Sequence, residues 1–224
     1  MVEFKTGKSQ RELWEKQHLE RAGEHEELED TPNEFGKKCI QLIPENGTIL
    51  EIGAANGRDA RYFAKEKGCR VIATDFSEIA AGHLQAAAIK DRTSCHVYPV
   101  VADAKNLPIT QKEYFDAVYA RSSLHLDNEE LDKFMEEVAT ILKSGGYLMI
   151  EGKPKEDFKI SRSEEVKANM HMDHDGHLRR AWSEEGIKKI VDKLGFQLIS
   201  INRSTENWHG VETQFINFIA KKYG

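Results

Sequence analysis

Three acids are spaced along the chain so that they could share one ligand. Glu51 lies inside the apolar run "ILEI", Asp75 ends "RVIATD", and Asp103 follows "VYPVVA". Between the first two sits Gly53-Ala54-Ala55-Asn56-Gly57, a small-residue turn leading from an apolar run into a helix-forming stretch. Such a turn lets backbone N–H groups and a helix N-terminus approach a ligand closely. A tight strand-to-helix connection with no ligand has the same composition, so the turn alone decides nothing. Asp75 comes 18 positions after Gly57, where a carboxylate can accept both hydroxyls of a ribose. Asp103, at the end of a third strand, is placed to face the amino group of an adenine.

The elements that must position these acids alternate between strand and helix periodicity. Strands are expected at Thr48–Ile52, Arg70–Asp75, His96–Ala102, Phe115–Ala120 and Tyr147–Glu151, with helices from Gly57 to Lys67, Ser77 to Ile89 and Leu131 to Leu142 between them. That order predicts a parallel sheet with right-handed crossovers and helices on both faces. A charged helix over Ser9 to Glu29, a lid or surface helix, and a second helix ending at Pro44 precede the first strand. Asp175-Gly176 signals a hairpin, Ser183 caps a helix that stops at Gly195, and strands Phe196–Ile201 and Val211–Ala220 are joined by "NRSTENWHG". That connection is too short for a helical crossover, so the last strand should run antiparallel.

With 224 residues, 39% hydrophobic and 31% charged, the chain is expected to form one domain of ordinary globular composition. A net charge of -6 lacks the positive field of non-specific nucleic-acid binding, which disfavours a nucleic-acid substrate. No run is long and apolar enough to cross a bilayer and "MVEFKTGKSQ" lacks an apolar leader, so a cytoplasmic protein is expected. Cys39, Cys69 and Cys95 are widely separated, which argues for buried or semi-buried thiols and against disulfides or a zinc site.

Taken in order, "LEIGAANGRDA", "VIATDFS", "VVADAKNLP", "FDAVYARSSLHL" and "ILKSGGYLMI" resemble the successive motifs of class I S-adenosylmethionine-dependent methyltransferases. The resemblance covers Ile49 to Glu151, and the helix–strand–strand ending is similar to the family's terminal antiparallel hairpin. It implies an α/β, Rossmann-like, doubly wound sheet of seven strands, mostly parallel with an antiparallel last strand, using S-adenosyl-L-methionine. Gly53, Ala54, Ala55 and Gly57 would line the methionine part, and Glu51 would orient the turn or the cofactor's ammonium group. Asp75 would bind the ribose, Phe76 would lie on the adenine, and Asp103 with Ala104 would read the adenine edge. Ala120 and Arg121 would touch the methionine tail by backbone. Ala55 replaces a common glycine, and its methyl is tolerated if φ there is negative. A dinucleotide-binding oxidoreductase shares the turn and the ribose acid; Asp103 and the terminal hairpin favour the methyltransferase.

Ligands of open parallel sheets collect beyond the carboxyl ends of the strands, which singles out the loops there. His125 follows the fourth strand, where an imidazole titrating near neutrality can take a proton or orient an acceptor, or simply fill space. Arg179 or Arg180 could clamp a carboxylate or phosphate, or lie on the surface. Trp14, Trp208 and His209 could wall the acceptor site or serve as packing. His171, Asp173, His174 and His177 are metal-ligand types, yet a hairpin points alternate residues to opposite faces, so no metal is expected and the group is solvated or partly lines the pocket. The expected organisation is an N-terminal helical cap (1–45), a cofactor-binding core (46–152), a substrate-side insertion with a hairpin (153–182) and a C-terminal helix and β-hairpin (183–224). The expected activity is methyl transfer to a small-molecule acceptor. A protein or RNA acceptor and a non-catalytic cofactor-binding module are the alternatives.

Overall fold

The computed structural model describes residues 9–21, 31–208 and 210–224. Five strands alternate with helices as the periodicity dictates: β1 (Thr48–Ile52), β2 (Arg70–Asp75), β3 (Val97–Val101), β4 (Phe115–Arg121) and β5 (Leu142–Pro154). They lie in the order β3-β2-β1-β4-β5, all parallel. The final pair, β9 (Gln197–Trp208) and β10 (Val211–Lys221), completes a seven-stranded core, with β10 antiparallel to both β5 and β9.

Alternation of side chains along the strands sorts the core into two layers. Ile49, Val71, Ala117, Tyr119 and Met149 face α2 (Glu34–Cys39), α3 (Arg58–Lys67) and α4 (Glu78–Lys90), whose Phe35, Phe63 and Leu84 are buried against them. Leu50, Val118, Leu148, Ile150 and Phe218 face α5 (Asn128–Ile141) and α7 (Glu184–Leu194) through Phe134, Val138, Ile187 and Val191. Each such fully buried side chain contributes roughly 1.5–3 kcal/mol. Local signals fix the helix ends. Ser183 accepts from Gly186 N–H and Gly195 closes α7 in the left-handed region, as expected. Asp127 caps α5 four residues before the apolar stripe begins at Leu131, through a capping box with Glu130 that the hydrophobic pattern alone did not reveal.

Three departures from the sequence reading shape the site. The segment read as a loop, 203–210, is mostly ladder: β9 runs to Trp208 and pairs residue for residue with β10 from Val211 to Ile219. This hairpin therefore projects past the end of β10's pairing with β5 at Gly152. The charged stretch after β5 holds a short helix α6 (Phe158–Ser161) and a strand β6 (Glu164–Lys167). Together with β7 (Met170–Met172) and β8 (Leu178–Trp182), β6 forms an antiparallel extension that joins the sheet where β8 pairs with Lys153 and Pro154 of β5. The β7–β8 hairpin surrounds Asp175-Gly176 as expected, with a loop from Asp173 to His177. Finally, Cys39 and Cys69 are buried, but Cys95 is exposed, because it lies in the turn before β3 rather than under a helix. No helix among the described residues is long and apolar enough to cross a membrane.

Candidate functional site

The carboxyl ends of β1, β2, β4 and β5 open into one cavity of about 490 Å³. The helix α1 (Gln10–Arg21) roofs it, and the β9–β10 hairpin and β8 wall its far side. α1 is fastened to the β7–β8 hairpin by one side chain: the Gln10 Nε2–H donates to Gly176 O (2.8 Å) and Gln10 Oε1 accepts from Leu178 N–H (2.9 Å).

Most sequence-predicted cofactor residues converge here. Glu51, Gly53, Ala54, Ala55, Asp75, Phe76, Asp103, Ala104 and Arg121 line the cavity. Asp75 is buried; its Oδ2 accepts from Ala55 N–H and its Oδ1 from Ser77 N–H, both at 3.0 Å, so this carboxylate ties the β1 turn to the start of α4. Asp103 is exposed and accepts from Lys105 N–H at 2.9 Å. Two residues are not brought to the cavity. Gly57 lies behind the turn and Ala120 is buried in the α5 layer of the core.

The glycines answer to the protein itself rather than to a ligand. Gly53 and Gly57 have φ of +67° and +71°, and a Cβ would stand 2.2 Å from Ser123 Cβ at Gly53 and 1.7 Å from Leu84 Cδ1 at Gly57. Ala55 departs from the expectation of a negative φ: it sits at +51°. Left-handed geometry costs an alanine roughly 1–2 kcal/mol, while glycine carries about 0.5–1 kcal/mol of extra chain entropy. Ala55→Gly is therefore expected to leave stability unchanged or raise it by about 1 kcal/mol. Urea unfolding checks this, and a loss of about 1 kcal/mol, the usual effect of such a change in regular structure, would contradict it.

Electrostatics differ between the two ends of the cavity. Glu51 is buried; burial first, and the neighbouring Asp59 second, hold its carboxyl well above the usual range. Its Oε2 has no hydrogen-bond partner. A buried oxygen of this kind fits a cationic amine, and the turn, the ribose-type acid Asp75 and the half-buried Phe76 ring fit an adenosyl group, so this half suits the cofactor that the motifs imply. Asp59, which the sequence reading missed, is buried beneath the turn, accepting from Tyr119 O–H at 3.1 Å and from the Asn33 side chain.

Beyond β4 and β5 the lining is cationic and aromatic. The Arg121 guanidinium, placed at the methionine end only by its backbone in the sequence reading, itself lines the cavity; it binds Glu151 (2.8 Å) and Glu206 (2.7 Å) and lies over Phe215. Burial opposes its charge, but those two carboxylates outweigh burial and raise its pKa. Lys153 is buried at the end of β5, where burial pushes its ammonium down to about 8 against the opposing pull of Asp157. Trp14 stacks on His125 with ring centroids 5.6 Å apart, and Arg179 lies over the same indole at 5.4 Å while donating to Asp173. Ser122 lines this region at φ +51°, its buried Oγ without a partner. Lys153, Ser122, Glu206 and Phe215 carry no sequence pattern of their own; only the extra length of β9 and β10 and the fall of the β4 and β5 tips bring them together.

His125 lines the cavity, but its acid–base character differs from the expectation. Burial first, and the Arg179 charge next, push its imidazolium down to about 3. Its Nδ1 accepts a long contact, 3.5 Å, from Arg180 N–H, which assigns the ring proton to Nε2. The ring is thus a neutral donor near pH 7 rather than a base. Arg179 reaches the cavity; Arg180 does not, since its guanidinium donates to Leu126 O and Asn128 Oδ1 at the start of α5. None of His171, His174 and His177 lines the cavity. His171, in the buried strand β7, and His177, packed 4.7 Å from the Trp14 ring, are buried rather than solvated, whereas His174 is exposed at the loop tip. The donors that do approach one another, within 4.8 Å, are Asp173, Asp175 and His177, and Asp173 is committed to Arg179 and to backbone N–H groups. Trp208 is described only as the last residue of β9, and His209 lies outside the described residues.

A doubly wound sheet with an antiparallel final hairpin and a strand-tip cavity carrying acids on β1 and β2 defines the class I methyltransferase architecture. Known proteins agree: residues 49–146 match the family model described as a methyltransferase domain. The chain is 24% identical over 190 residues to the glycine/sarcosine/dimethylglycine N-methyltransferase of Actinopolyspora halophila, covering 82% of this chain and 33% of that protein. Its fold is similar to that of Burkholderia thailandensis 1,6-didemethyltoxoflavin-N1-methyltransferase, solved with 1,6-didemethyltoxoflavin and S-adenosylhomocysteine, at TM-score 0.70 and 16% identity over 95% of this chain and 88% of that one. The [4+2]-cyclase SpnF shares the fold at TM-score 0.64 and 16% identity, over 84% and 79% of the two chains. The chain spans from about a third to somewhat over half the length of the curated relatives it matches. Residues 49–146 thus match a methyltransferase domain, within a fold shared with S-adenosylmethionine-dependent methyltransferases.

Proposed function

We propose that the protein transfers a methyl group from S-adenosylmethionine to a small-molecule acceptor held beneath α1. The observation that carries this reading is the cavity itself: about 490 Å³, roofed by α1 and walled by two hairpins, which suits a small acceptor beside the cofactor rather than an open face for a macromolecule. Bound there, S-adenosylmethionine supplies an electrophilic methyl on sulfur. The chain's own residues hold and orient. Asp75 takes the ribose hydroxyls, Phe76 and Asp103 with Ala104 take the adenine, and Glu51 takes the ammonium group. Because a displacement of this kind depends on alignment and on exclusion of water, Trp14 and the Gln10 clasp matter by closing the roof. The amine and heterocycle methyltransferases among the similar proteins act, by their names, on small molecules, which supports the acceptor class.

His125 serves as a positioning donor in this reading. His125→Ala is expected to lower kcat/KM for the acceptor by about tenfold or more, about 1.4 kcal/mol, with cofactor affinity unchanged. Because its imidazolium pKa is about 3, wild-type turnover should show no inflection from this group between pH 5 and 8. An inflection near 6.5 that disappears in His125→Ala would assign it a base role instead. Since a cyclase shares the fold, binding alone does not establish turnover. The reading is tested by incubating the protein with methyl-labelled donor and a panel of small amines, carboxylic acids and heterocycles. Transfer to at least one acceptor is expected; cofactor binding without transfer to any acceptor, protein and RNA included, would point to a non-catalytic module.

A further inference from the structure

Charge is unevenly distributed across the cavity, acids predominating in one half and cations in the other. Acids Glu51, Asp59, Asp75 and Asp103 line the cofactor half, with Arg58 and Lys105 at its edge, whereas Lys153, Lys159 and Arg179 line the other. The acid on that second side, Glu206, is held by Arg121 at 2.7 Å. Lys153 stands out among the cations. It is only 9% exposed, yet its ammonium is not seated in a close ion pair: Asp157 Oδ2 is 3.4 Å away and already accepts Gln214 N–H at 2.8 Å, while the other Asp157 oxygen accepts Lys159 N–H at 3.0 Å. The ammonium instead lies 4.1 Å over the Phe215 ring, on the cavity wall. An ammonium has three donors, and one long bond to a shared oxygen leaves two for a ligand. Were neutralising Asp157 its role, a direct contact near 2.8 Å would serve better.

We infer that Lys153 binds a carboxylate on the acceptor, anchoring that end of the molecule against Phe215 while its nucleophile lies toward the cofactor half. This rests on the methyltransferase reading above and narrows its acceptor to carboxylated small molecules. A monoanion fits better than a phosphate dianion, because Glu206 faces the same space. Burial of the lysine without a close partner depresses its pKa to about 8, and a bound carboxylate reverses that shift.

The test uses protein labelled with 13C at lysine Cε, with the Lys153 signal assigned from Lys153→Arg. Acetate, benzoate and sarcosine are titrated beside their uncharged amides, with and without saturating S-adenosylhomocysteine. At least one carboxylate is expected to move the Lys153 signal saturably and raise its titration midpoint, with its amide at least tenfold weaker and Lys153→Met abolishing the effect. If Asp157 left alone prevents Lys153→Met from folding, the Lys153→Met/Asp157→Asn pair removes both charges and is expected to give the same loss. A Lys153 signal indifferent to every carboxylate in protein that binds S-adenosylhomocysteine would overturn the inference. Failure to bind S-adenosylhomocysteine would instead remove the methyltransferase reading, and the cofactor-free titration would still report on Lys153.

Discussion

Asp75→Ala is expected to weaken S-adenosylhomocysteine binding by at least tenfold, about 1.4 kcal/mol, and also to destabilise the fold. The second effect follows from the hydrogen bonds. Removing the carboxylate strands the N–H groups of Ala55 and Ser77, each now held at 3.0 Å; the buried Ser77 N–H costs roughly 1–3 kcal/mol, and the half-buried Ala55 N–H at the cavity wall costs less. A binding loss could therefore come from a loosened turn rather than a lost ribose contact. Comparing S-adenosylhomocysteine with its 2′,3′-dideoxy analogue separates the two by calorimetry. If the carboxylate takes the hydroxyls, wild type should prefer the full ligand strongly and Asp75→Ala should prefer it little. Equal preference in both proteins would refute the ribose role and leave Asp75 as a brace of the turn.

Gly57→Ala should cost the most stability of any change at the turn. The residue has φ +71°, a conformation that costs a side chain roughly 1–2 kcal/mol. Its new Cβ would also stand 1.7 Å from Leu84 Cδ1, in a layer where Leu84 is fully buried and α4 cannot move freely. Overfilling a core of this kind costs about 1–3 kcal/mol. The sum, roughly 2–5 kcal/mol, corresponds to a fall in Tm of about 5–20 °C for a chain of this size. Leu84→Ala destabilises by itself, yet combined with Gly57→Ala it removes the clash, so the double variant should be markedly more stable than the summed single losses. Thermal melts of the four proteins give the answer. Simple additivity would mean that the left-handed backbone alone, not the contact with Leu84, demands glycine there.

Those two positions also illustrate what was readable in advance. The parallel core was legible because strands buried on both faces and amphipathic helices leave unmistakable periods, and because Asp75 and Asp103 close their strands at the strand tips. The turn was legible as a site but not in its geometry. Nothing local told Ala55 to adopt φ +51°, which follows from how Asp75 pulls its N–H across from the neighbouring strand. The acceptor half was largely hidden. Arg203 to Asn207 are polar and lack alternation, since that part of β9 projects past the sheet rather than covering the core, so the segment reads as a loop although its backbone is fully paired. Lys153 reads as a surface lysine until β8 and the β9–β10 hairpin enclose it. Likewise, His125 reads as a base with an ordinary pKa; the ring is covered by the indole of Trp14, whose helix is held in place through Gln10 by hairpin atoms 166 and 168 positions away.

One calorimetric titration bears on all of this most directly: the purified protein against S-adenosylhomocysteine, with NAD in a parallel cell. Saturable binding of one S-adenosylhomocysteine per chain at micromolar concentration, weakened at least tenfold by Asp75→Ala, with no heat from NAD, is the expected result. A folded protein that ignores S-adenosylhomocysteine, or that takes up NAD in its place, would contradict it.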